Sequence, residues 1–242
     1  MKTNHTKLHE RNRTIATLGV SFALIVVLHA LAEAFARWGL FSLALGIIPV
    51  LAISQVKNWK FGVILGAFFG VVSLLTAVIK GYAGVPVWHN VINPLVSVLP
   101  RAVVGLACSL LAALAGKILA RVDRVKPIEP ADLPQEGQED GFEPVALPLS
   151  STGRKVGRFT RDYLIHAVIT FAGVVLNAVG FLGMLLVFAK GETVPVGEAN
   201  VAFDLLYVLE FVVGTNTLIE AIVFTVVVPA IVSALKKSKL AR

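Results

Sequence analysis

Charged residues and cysteine are both scarce in this chain. Only 15% of its 242 residues are charged, while 56% are hydrophobic; a soluble domain usually carries about 25% charged residues. The shortage of charge therefore argues against a water-soluble globular protein. The single cysteine, Cys108, has no partner for an internal disulfide, and one thiol provides neither a metal site nor a redox framework. A disulfide-stabilised secreted domain is thereby excluded.

Sequence signatures of enzymes are missing as well. The chain contains no Gly-x-Ser-x-Gly elbow, no His-Glu-x-x-His and no Walker-type Gly-x-x-x-x-Gly-Lys-Ser/Thr motif. His29 and Glu33 are four residues apart, as in half of a metal site, but no third ligand stands at a supportive spacing. We expect no enzymatic activity, no cofactor and no bound metal. Any ATP hydrolysis that drives this protein would then occur in a partner subunit.

Apolar residues, by contrast, are abundant and gathered into runs. Six segments approach the roughly 20 residues of helix that cross a bilayer: residues 14–36, 40–56, 61–80, 95–120, 164–189 and 203–235. The sequence therefore predicts an all-α integral membrane protein, a bundle of about six transmembrane helices in a lipid bilayer. The second run is short and contains Pro49. The last is long enough to tilt, and we expect Pro229 to kink it.

The distribution of positive charge predicts the orientation. The net charge of +7 raises the question of nucleic-acid binding, but the basic residues lie between or beyond the apolar runs, so we expect no nucleic-acid partner. With the N-terminus inside, all but four of the 22 Lys and Arg residues are cytoplasmic; the exceptions are Arg37, Lys80, Arg101 and Lys190. By the positive-inside rule, both termini are predicted to be cytoplasmic. The first run is too long for a cleaved signal peptide and predicts a retained helix.

Residues 122–160 interrupt the membrane pattern. They contain five prolines, several acidic residues, and no apolar periodicity, which predicts a flexible cytoplasmic loop. The loop divides one membrane domain into the first four helices (residues 1–121) and the last two with a basic tail (residues 161–242). A plain tether and a docking or regulatory segment both remain open for it.

Arg101 is the clearest candidate for a functional residue. Ionisable groups at membrane depth are costly and suggest function. Pro94 and Pro100 deny the backbone its usual hydrogen bonds, so Asn93, freed carbonyls and Arg101 are predicted to face a cavity near the outer side. A guanidinium favours carboxylates because its planar fork offers paired donors. An arginine that reaches the interface, or pairs with a structural acid, is the alternative.

Other polar residues near the expected outer face extend this candidate site. Residues 81–90 combine glycines with Trp88 and Asn90, which suit either the cover of a planar ligand or an ordinary interfacial belt. Asn177 in the fifth helix is predicted to make an interhelical hydrogen bond or to contact a ligand. In the sixth, Asn216 and Glu220 share a face. Glu220, like Glu210, is expected to face the bundle interior, paired with Arg101 or in contact with a ligand.

Small residues mark the first helix as a packing surface. Ala16, Gly19 and Ala23 recur every three or four positions, a spacing that permits another helix to approach closely. Internal packing and docking of a partner protein both fit this stripe.

Two segments carry a family resemblance. Residues 93–101 (Asn-Pro-Leu-Val-Ser-Val-Leu-Pro-Arg) with 103–106 (Val-Val-Gly-Leu) resemble the start of the fourth helix in S components of energy-coupling factor (ECF) transporters. Residues 214–222 (Gly-Thr-Asn-Thr-Leu-Ile-Glu-Ala-Ile) are similar to the last helix of that group. The first helix resembles the surface by which those proteins meet their coupling subunit. The loop at 122–157 is longer than this family leads us to expect.

The resemblance implies vitamin uptake across the plasma membrane of a prokaryote. An S component binds a vitamin with high affinity at its outer face and delivers it through a transmembrane coupling protein driven by two ABC ATPase subunits. The family site implies the following substrate-binding residues: Trp88, Asn90, Asn93, Arg101, Asn177, Tyr207 and Asn216. The buried charge of Glu220 adds it to the predicted substrate-binding set. Ala16, Gly19 and Ala23 would form the partner-docking surface. Pantothenate, folate and cobalamin are all possible vitamins, and Arg101 favours one with a carboxylate.

Two other classes of function compete with this hypothesis. A self-sufficient secondary transporter or channel would work without an ATPase and often contains an inverted repeat, which we do not find between the two parts of the chain. A structural or assembly protein would use its buried charges only for folding.

Overall fold

The computed structural model describes residues 2–37, 43–122, 151–196, 199–209 and 217–238. The α-helices in chain order are α1 (Lys2–Arg37), α2 (Ile47–Ser54), α3 (Trp59–Ile79), α4 (Pro94–Ser97), α5 (Leu99–Val122), α6 (Ser151–Phe188), α7 (Leu205–Tyr207) and α8 (Leu218–Lys237). Two 3-10 turns, Tyr82–Gly84 and Trp88–Ile92, precede α4. A hairpin of strands β1 (Thr193–Val196) and β2 (Ala199–Ala202) follows α6.

Five helical segments are long and apolar enough to cross a membrane. They are Arg11–Arg37, Trp59–Ile79, Pro94–Val122, Phe159–Phe188 and Leu218–Lys237. As helices they form most of their backbone hydrogen bonds internally, as hydrocarbon requires, and much of their surface exposes leucine, isoleucine and valine. The predicted class, a helical multi-pass membrane protein, agrees with these five helices. The β1–β2 hairpin departs from a purely α-helical chain.

The described part of the second predicted span, residues 40–56, contains one short and largely buried helix, α2. With eight residues, α2 is about 12 Å long, which is too short to cross a bilayer. Ile47, Val50 and Leu51 are at most 1% exposed, so α2 packs inside the bundle. Pro49 lies in its first turn, where a missing N–H costs little. The described residues thus supply five helices of spanning length, against the six predicted from apolar runs.

Side-chain pairs show that α1 and α3 run parallel. Three pairs join them: Phe22 stacks on Phe68 with ring centroids 4.1 Å apart, His29 hydrogen-bonds Thr76, and Glu33 forms an ion pair with Lys80. From one pair to the next, the residue number rises in both helices, so the two chains run in the same direction. The segment that connects two parallel helices must run back in the opposite direction, and α2 lies in this returning segment.

Contacts at the two ends of residues 43–57 define this return. A Cβ built at Gly46 lies 3.3 Å from the Cβ of His29, whereas Lys57 lies close enough to Arg13 to feel its charge. The segment is therefore antiparallel to α1. Since α5 runs antiparallel to α3, α6 to α5 and α8 to α6, α1 begins and α8 ends at the same end of the bundle. We call this the basic end, and the opposite end, which holds the 3-10 turns and the hairpin, the loop end.

A buried polar network fixes α2 against α6 and α8. The Lys236 ammonium lies 2.7 Å from His166 Nε2, and His166 Nδ1 lies 2.9 Å from the Gln55 side-chain oxygen. The Gln55 amide donates to Thr170 Oγ1 at 3.0 Å. Because a carbonyl oxygen only accepts, His166 donates from Nδ1 and accepts at Nε2. Three elements are thereby joined by satisfied hydrogen bonds rather than by apolar packing alone.

Glycines allow α3 and α5 to pack in direct backbone contact. A Cβ at Gly62 or Gly66 would lie 2.2 or 2.1 Å from a carbonyl oxygen of α5, and a Cβ at Gly105 would lie 1.9 Å from the Gly62 carbonyl oxygen. A Cβ at Gly70 would lie 2.5 Å from the Cα of Val98, directly before α5. Small residues every four positions are the usual means of close helix approach in membranes. This contact holds the first turn of α5, which carries Arg101, against the middle of α3.

The boundaries of the last two spans differ from the sequence-based prediction. Helix α6 begins at Ser151, inside the predicted loop at 122–160, while residues 123–150 lie outside the described residues. The predicted sixth span, 203–235, contains the three-residue α7 and then α8 from Leu218. Asp204 caps α7 by accepting from the Tyr207 N–H at 2.9 Å, and such a cap starts a new helix after the hairpin.

Candidate functional site

The candidate site lies in the loop-end half of the bundle, around Arg101. Asn93 caps α4 by accepting from the Leu95 N–H at 2.9 Å, and Pro94 occupies the first helical position. The helix is interrupted at Val98, and α5 begins with Leu99 and Pro100. The two prolines thus divide the predicted fourth span into a short α4 and a long α5. Arg101 follows directly in the first turn of α5.

The Arg101 side chain is buried and partly satisfied by its own surroundings. It is 7% exposed and extends back towards the start of the helix, as long helical side chains do. Its Nη1 donates to the Ser97 carbonyl at 2.5 Å, and Nη2 donates to Ser73 Oγ at 3.2 Å. Its Nε has no hydrogen-bond partner within the part of the chain that the structure describes. One strong donor therefore remains available at membrane depth.

Two aromatic rings hold the guanidinium group of Arg101. Its Cζ lies 5.1 Å from the ring centroid of Phe69 on α3 and 4.8 Å from that of Phe181 on α6. Aromatic faces attract cations, by about 2 kcal/mol or more where the pair is desolvated. These rings compensate part of the cost of a buried charge without neutralising it.

Glu220 is the acidic group associated with this arginine. It is 9% exposed, in the first turn of α8, and its Oε1 accepts from the Ala44 N–H at 2.5 Å. Glu220 and Arg101 attract each other electrostatically, yet among the described residues no direct hydrogen bond or ion pair joins them. Arg101 on α5 and Glu220 on α8 thus carry opposite charges in the same interior but do not form a direct ion pair.

A polar groove opens beside this interior between α1 and α3. Its volume is about 560 Å³, and its polar lining residues are His29, Glu33, Arg37, Thr76 and Lys80. The Thr76 hydroxyl donates to the Val72 carbonyl at 2.9 Å, so the His29 Nε2–H donates to Thr76 across 3.0 Å. The His29 ring also lies edge-on to Phe69, 5.9 Å between centroids. Phe69 therefore separates the groove from Arg101 by one ring.

Glu192 fastens the 3-10 turns to the hairpin at the loop end. Its carboxylate accepts from the Val87 N–H, and from the Asn90 amide at 3.1 Å, and lies 3.6 Å from His89 Nδ1. The bond from the Val87 N–H is the main cause of a pKa of Glu192 below its usual value, with smaller contributions from Asn90 and His89. Val87 is fully buried at a φ of +66°, a strained value for a β-branched residue. The sequence did not point to Glu192.

No family model, no curated protein and no solved structure matches this chain. The geometry of the site must therefore support any functional conclusion. Arg101 and Glu220, both predicted as site residues, do share one interior. His29, Phe69 and Phe181, which the sequence did not assign to the site, contact it or border it.

Four further predicted site residues, Trp88, Asn90, Asn93 and Tyr207, lie around the loop end. Trp88 packs against Tyr82 with centroids 6.3 Å apart, and Tyr207 packs against Phe203 at 5.8 Å. Both aromatic pairs cover an apolar cluster that includes Leu185. The Asn90 amide is used in the Glu192 contact and Asn93 in the cap of α4, so each has a structural role. Asn177 is 9% exposed, with an unpartnered side-chain oxygen among the described residues. Asn216 and Glu210 lie outside the described residues.

The small-residue stripe on α1 lies on the surface. Ala16, Gly19 and Ala23 are exposed, and a Cβ at Gly19 would meet nothing within 4 Å. Within the described chain, the stripe is thus not an internal packing surface. His29 and Glu33 of α1, whose spacing matches half of a metal site, make other contacts, His29 with Thr76 and Glu33 with Lys80. In the described residues no three metal-binding side chains come together.

Proposed function

We propose that this protein is a solute-binding membrane subunit, the S component of an ECF-type vitamin transporter in a prokaryotic plasma membrane. It binds a carboxylate-bearing vitamin near Arg101 and passes it to a transmembrane coupling protein and two ABC ATPase subunits. The observation that carries the proposal is the buried Arg101, whose guanidinium retains an unpartnered donor among the described residues.

A buried cation at membrane depth needs a reason. Such residues are rare and usually mark a substrate or ion pathway. Arg101 is bonded to a carbonyl and a hydroxyl and packed between two rings, none of which neutralises it. A ligand carboxylate would give the guanidinium a direct negative partner and would accept from Nε with the geometry that a guanidinium favours. The groove between α1 and α3 offers a polar opening one ring away.

The exposed stripe on α1 supports the proposed partner. An alanine and glycine surface without a neighbour inside the described chain suits close packing of a helix from another protein. The orientation follows from charge: the described cations Arg13, Lys57, Arg121 and Lys237 lie at the basic end, which we place in the cytoplasm. The loop end then faces outward, where a solute arrives.

Ligand identification on the purified protein tests this proposal. Mass spectrometry would name a co-purifying vitamin, and calorimetric titration would measure its affinity for the wild type, for Arg101→Lys and for Lys190→Ala. Arg101→Lys keeps the charge but loses the fork, and we expect binding at least tenfold weaker. Lys190→Ala removes an exposed cation at the same end and should bind as the wild type. Absence of binding to any carboxylate vitamin by folded, monodisperse protein would overturn the proposal.

One observation favours a second candidate, an ion-coupled secondary transporter. Ionisable side chains continue from Lys80 and Glu33 through His29 to Arg101 and Glu220, and such chains serve as proton relays in other transporters. Solute uptake by proteoliposomes that contain this protein alone, driven by a pH gradient and abolished by Glu220→Gln, would favour this candidate. Uptake that requires ATP and partner subunits would favour the S component.

A further inference from the structure

A second groove lies towards the basic end of the bundle and is lined by residues of α1, α2 and α8. Its volume is about 400 Å³, within the range of roughly 300–1,000 Å³ found for ligand sites. Its walls are almost entirely aliphatic, with Val20, Leu24 and Leu28 on α1, and Ile231 on α8. The Thr17 and Ser21 hydroxyls in the wall donate to carbonyls of their own helix. The groove thus offers an apolar ligand a surface without unsatisfied hydroxyl donors.

The length and position of the groove match one leaflet of a bilayer. Its lining residues on α1 extend from Arg13 to Leu28, a distance of about 22 Å at 1.5 Å per residue. Half of a hydrocarbon core of about 30 Å would lie within this length. Arg13 stands near the start of the first membrane-spanning segment, and Lys57 two residues before the next. The exposed Trp59 also marks this level, as tryptophan commonly does at a membrane interface.

Two cations stand together at the interfacial end of the groove. Arg13 and Lys57 both line it, and burial, followed by the charge of Arg13, lowers the pKa of Lys57. An anion between them would be attracted by both side chains and would raise the pKa of Lys57.

We propose that this groove binds one anionic phospholipid, with an acyl chain along α1 and α2 and the phosphate between Arg13 and Lys57. Apolar walls with cations at one end complement the two parts of such a lipid. The site is separate from Arg101 and does not depend on the proposed function. Ala16 of the small-residue stripe lines the groove, whereas Gly19 and Ala23 do not, so a bound lipid leaves the last two open.

Native mass spectrometry in detergent, with phosphatidylglycerol or phosphatidylcholine added, tests this site. We expect retention of one phosphatidylglycerol and little phosphatidylcholine. The double substitution Arg13→Ala and Lys57→Ala should weaken retention by about thirtyfold. The same loss of charge at Lys117 and Arg121, exposed on α5, should leave it unchanged. Equal retention of the two lipids, or of phosphatidylglycerol by the Arg13/Lys57 variant, would overturn the proposal.

A matched pair of tryptophan substitutions tests the acyl-chain part without touching charge. Val20 and Val27 are 63% and 61% exposed, but only Val20 lines the groove. Val20→Trp should fill the groove and abolish lipid retention, whereas Val27→Trp should retain it. Glycerol phosphate, which has the headgroup chemistry without the chains, should fail to compete at equal concentration. Competition as strong as that of the lipid would show a free-phosphate site and refute the lipid assignment.

Discussion

Replacement of Gly66 by alanine should destabilise the bundle more than one added methyl group suggests. The new Cβ would lie 2.1 Å from the Arg101 carbonyl oxygen, against the 3.4 Å at which ordinary contact begins. Helices α3 and α5 would have to separate by about 1.3 Å, the difference between these two distances. Overpacking of this kind typically costs about 1–3 kcal/mol, and here backbone meets backbone, so we expect the upper part of that range.

The measurement is the melting temperature of the detergent-solubilised protein. For a chain of this size, each kcal/mol corresponds to about 2–4 °C, so a cost of about 3 kcal/mol predicts a fall of about 6–12 °C. Gly116→Ala on α5 is the matched control, because its Cβ meets nothing within 4 Å and alanine is the better helix former. Gly66→Ala should also weaken ligand binding, because it displaces the turn that carries Arg101. Equal melting temperatures for the two variants would refute the close packing of α3 on α5.

Two further predictions concern the loop end. The lowered pKa of Glu192 means that its carboxylate stabilises the loop–hairpin contact above the usual carboxyl pKa, and that this stability is lost as pH falls through the lowered value. Trp88 fluorescence in a Trp38→Phe, Trp59→Phe background should therefore change on acidification, and Glu192→Gln should abolish that transition; a transition that persists in Glu192→Gln contradicts the assignment. Asn93→Ala should lower stability by about 1 kcal/mol through loss of the cap on α4. Asn93→Asp should keep the stability of the wild type, because an aspartate also caps a helix. If Asn93→Ala lowered only the affinity for the ligand and not the stability, Asn93 would have a binding role instead.

The long spans were predictable because lipid-facing helices need uninterrupted apolar runs. Residues 61–80, for example, correspond to α3 within two residues at the start and one at the end. The run at 40–56 is equally apolar for a different reason: six of the eight residues of α2 are buried in the protein. Composition alone does not separate a helix buried in protein from one buried in lipid. The hairpin was missed for a related reason, since the valines of β1 and β2 continue into the apolar run of the sixth segment.

The sequence alone predicts those site residues whose burial in a membrane is energetically costly. Arg101 and Glu220 are ionisable groups inside apolar runs, so their burial was expected. Their neighbours depend on tertiary structure and could not be predicted. Phe69 and Phe181 carry no signal in the sequence, and only helix packing places their rings against the Arg101 guanidinium. Glu192 acquires its role only when the loop and the hairpin meet. Gly62, Gly66 and Gly70, however, stand at a four-residue spacing and could have been recognised as a packing surface.

The most direct test of the central claim pairs a change in the ligand with a change in the protein. Calorimetry would compare a carboxylate vitamin with its neutral amide, on the wild type and on Arg101→Ala. If the carboxylate binds Arg101, the amide should bind the wild type at least tenfold more weakly, as expected for a charged hydrogen bond. Arg101→Ala should then bind the acid and the amide alike. If the amide bound more weakly than the acid by the same factor on the wild type and on Arg101→Ala, the assignment of Arg101 as the anion-binding residue would be contradicted.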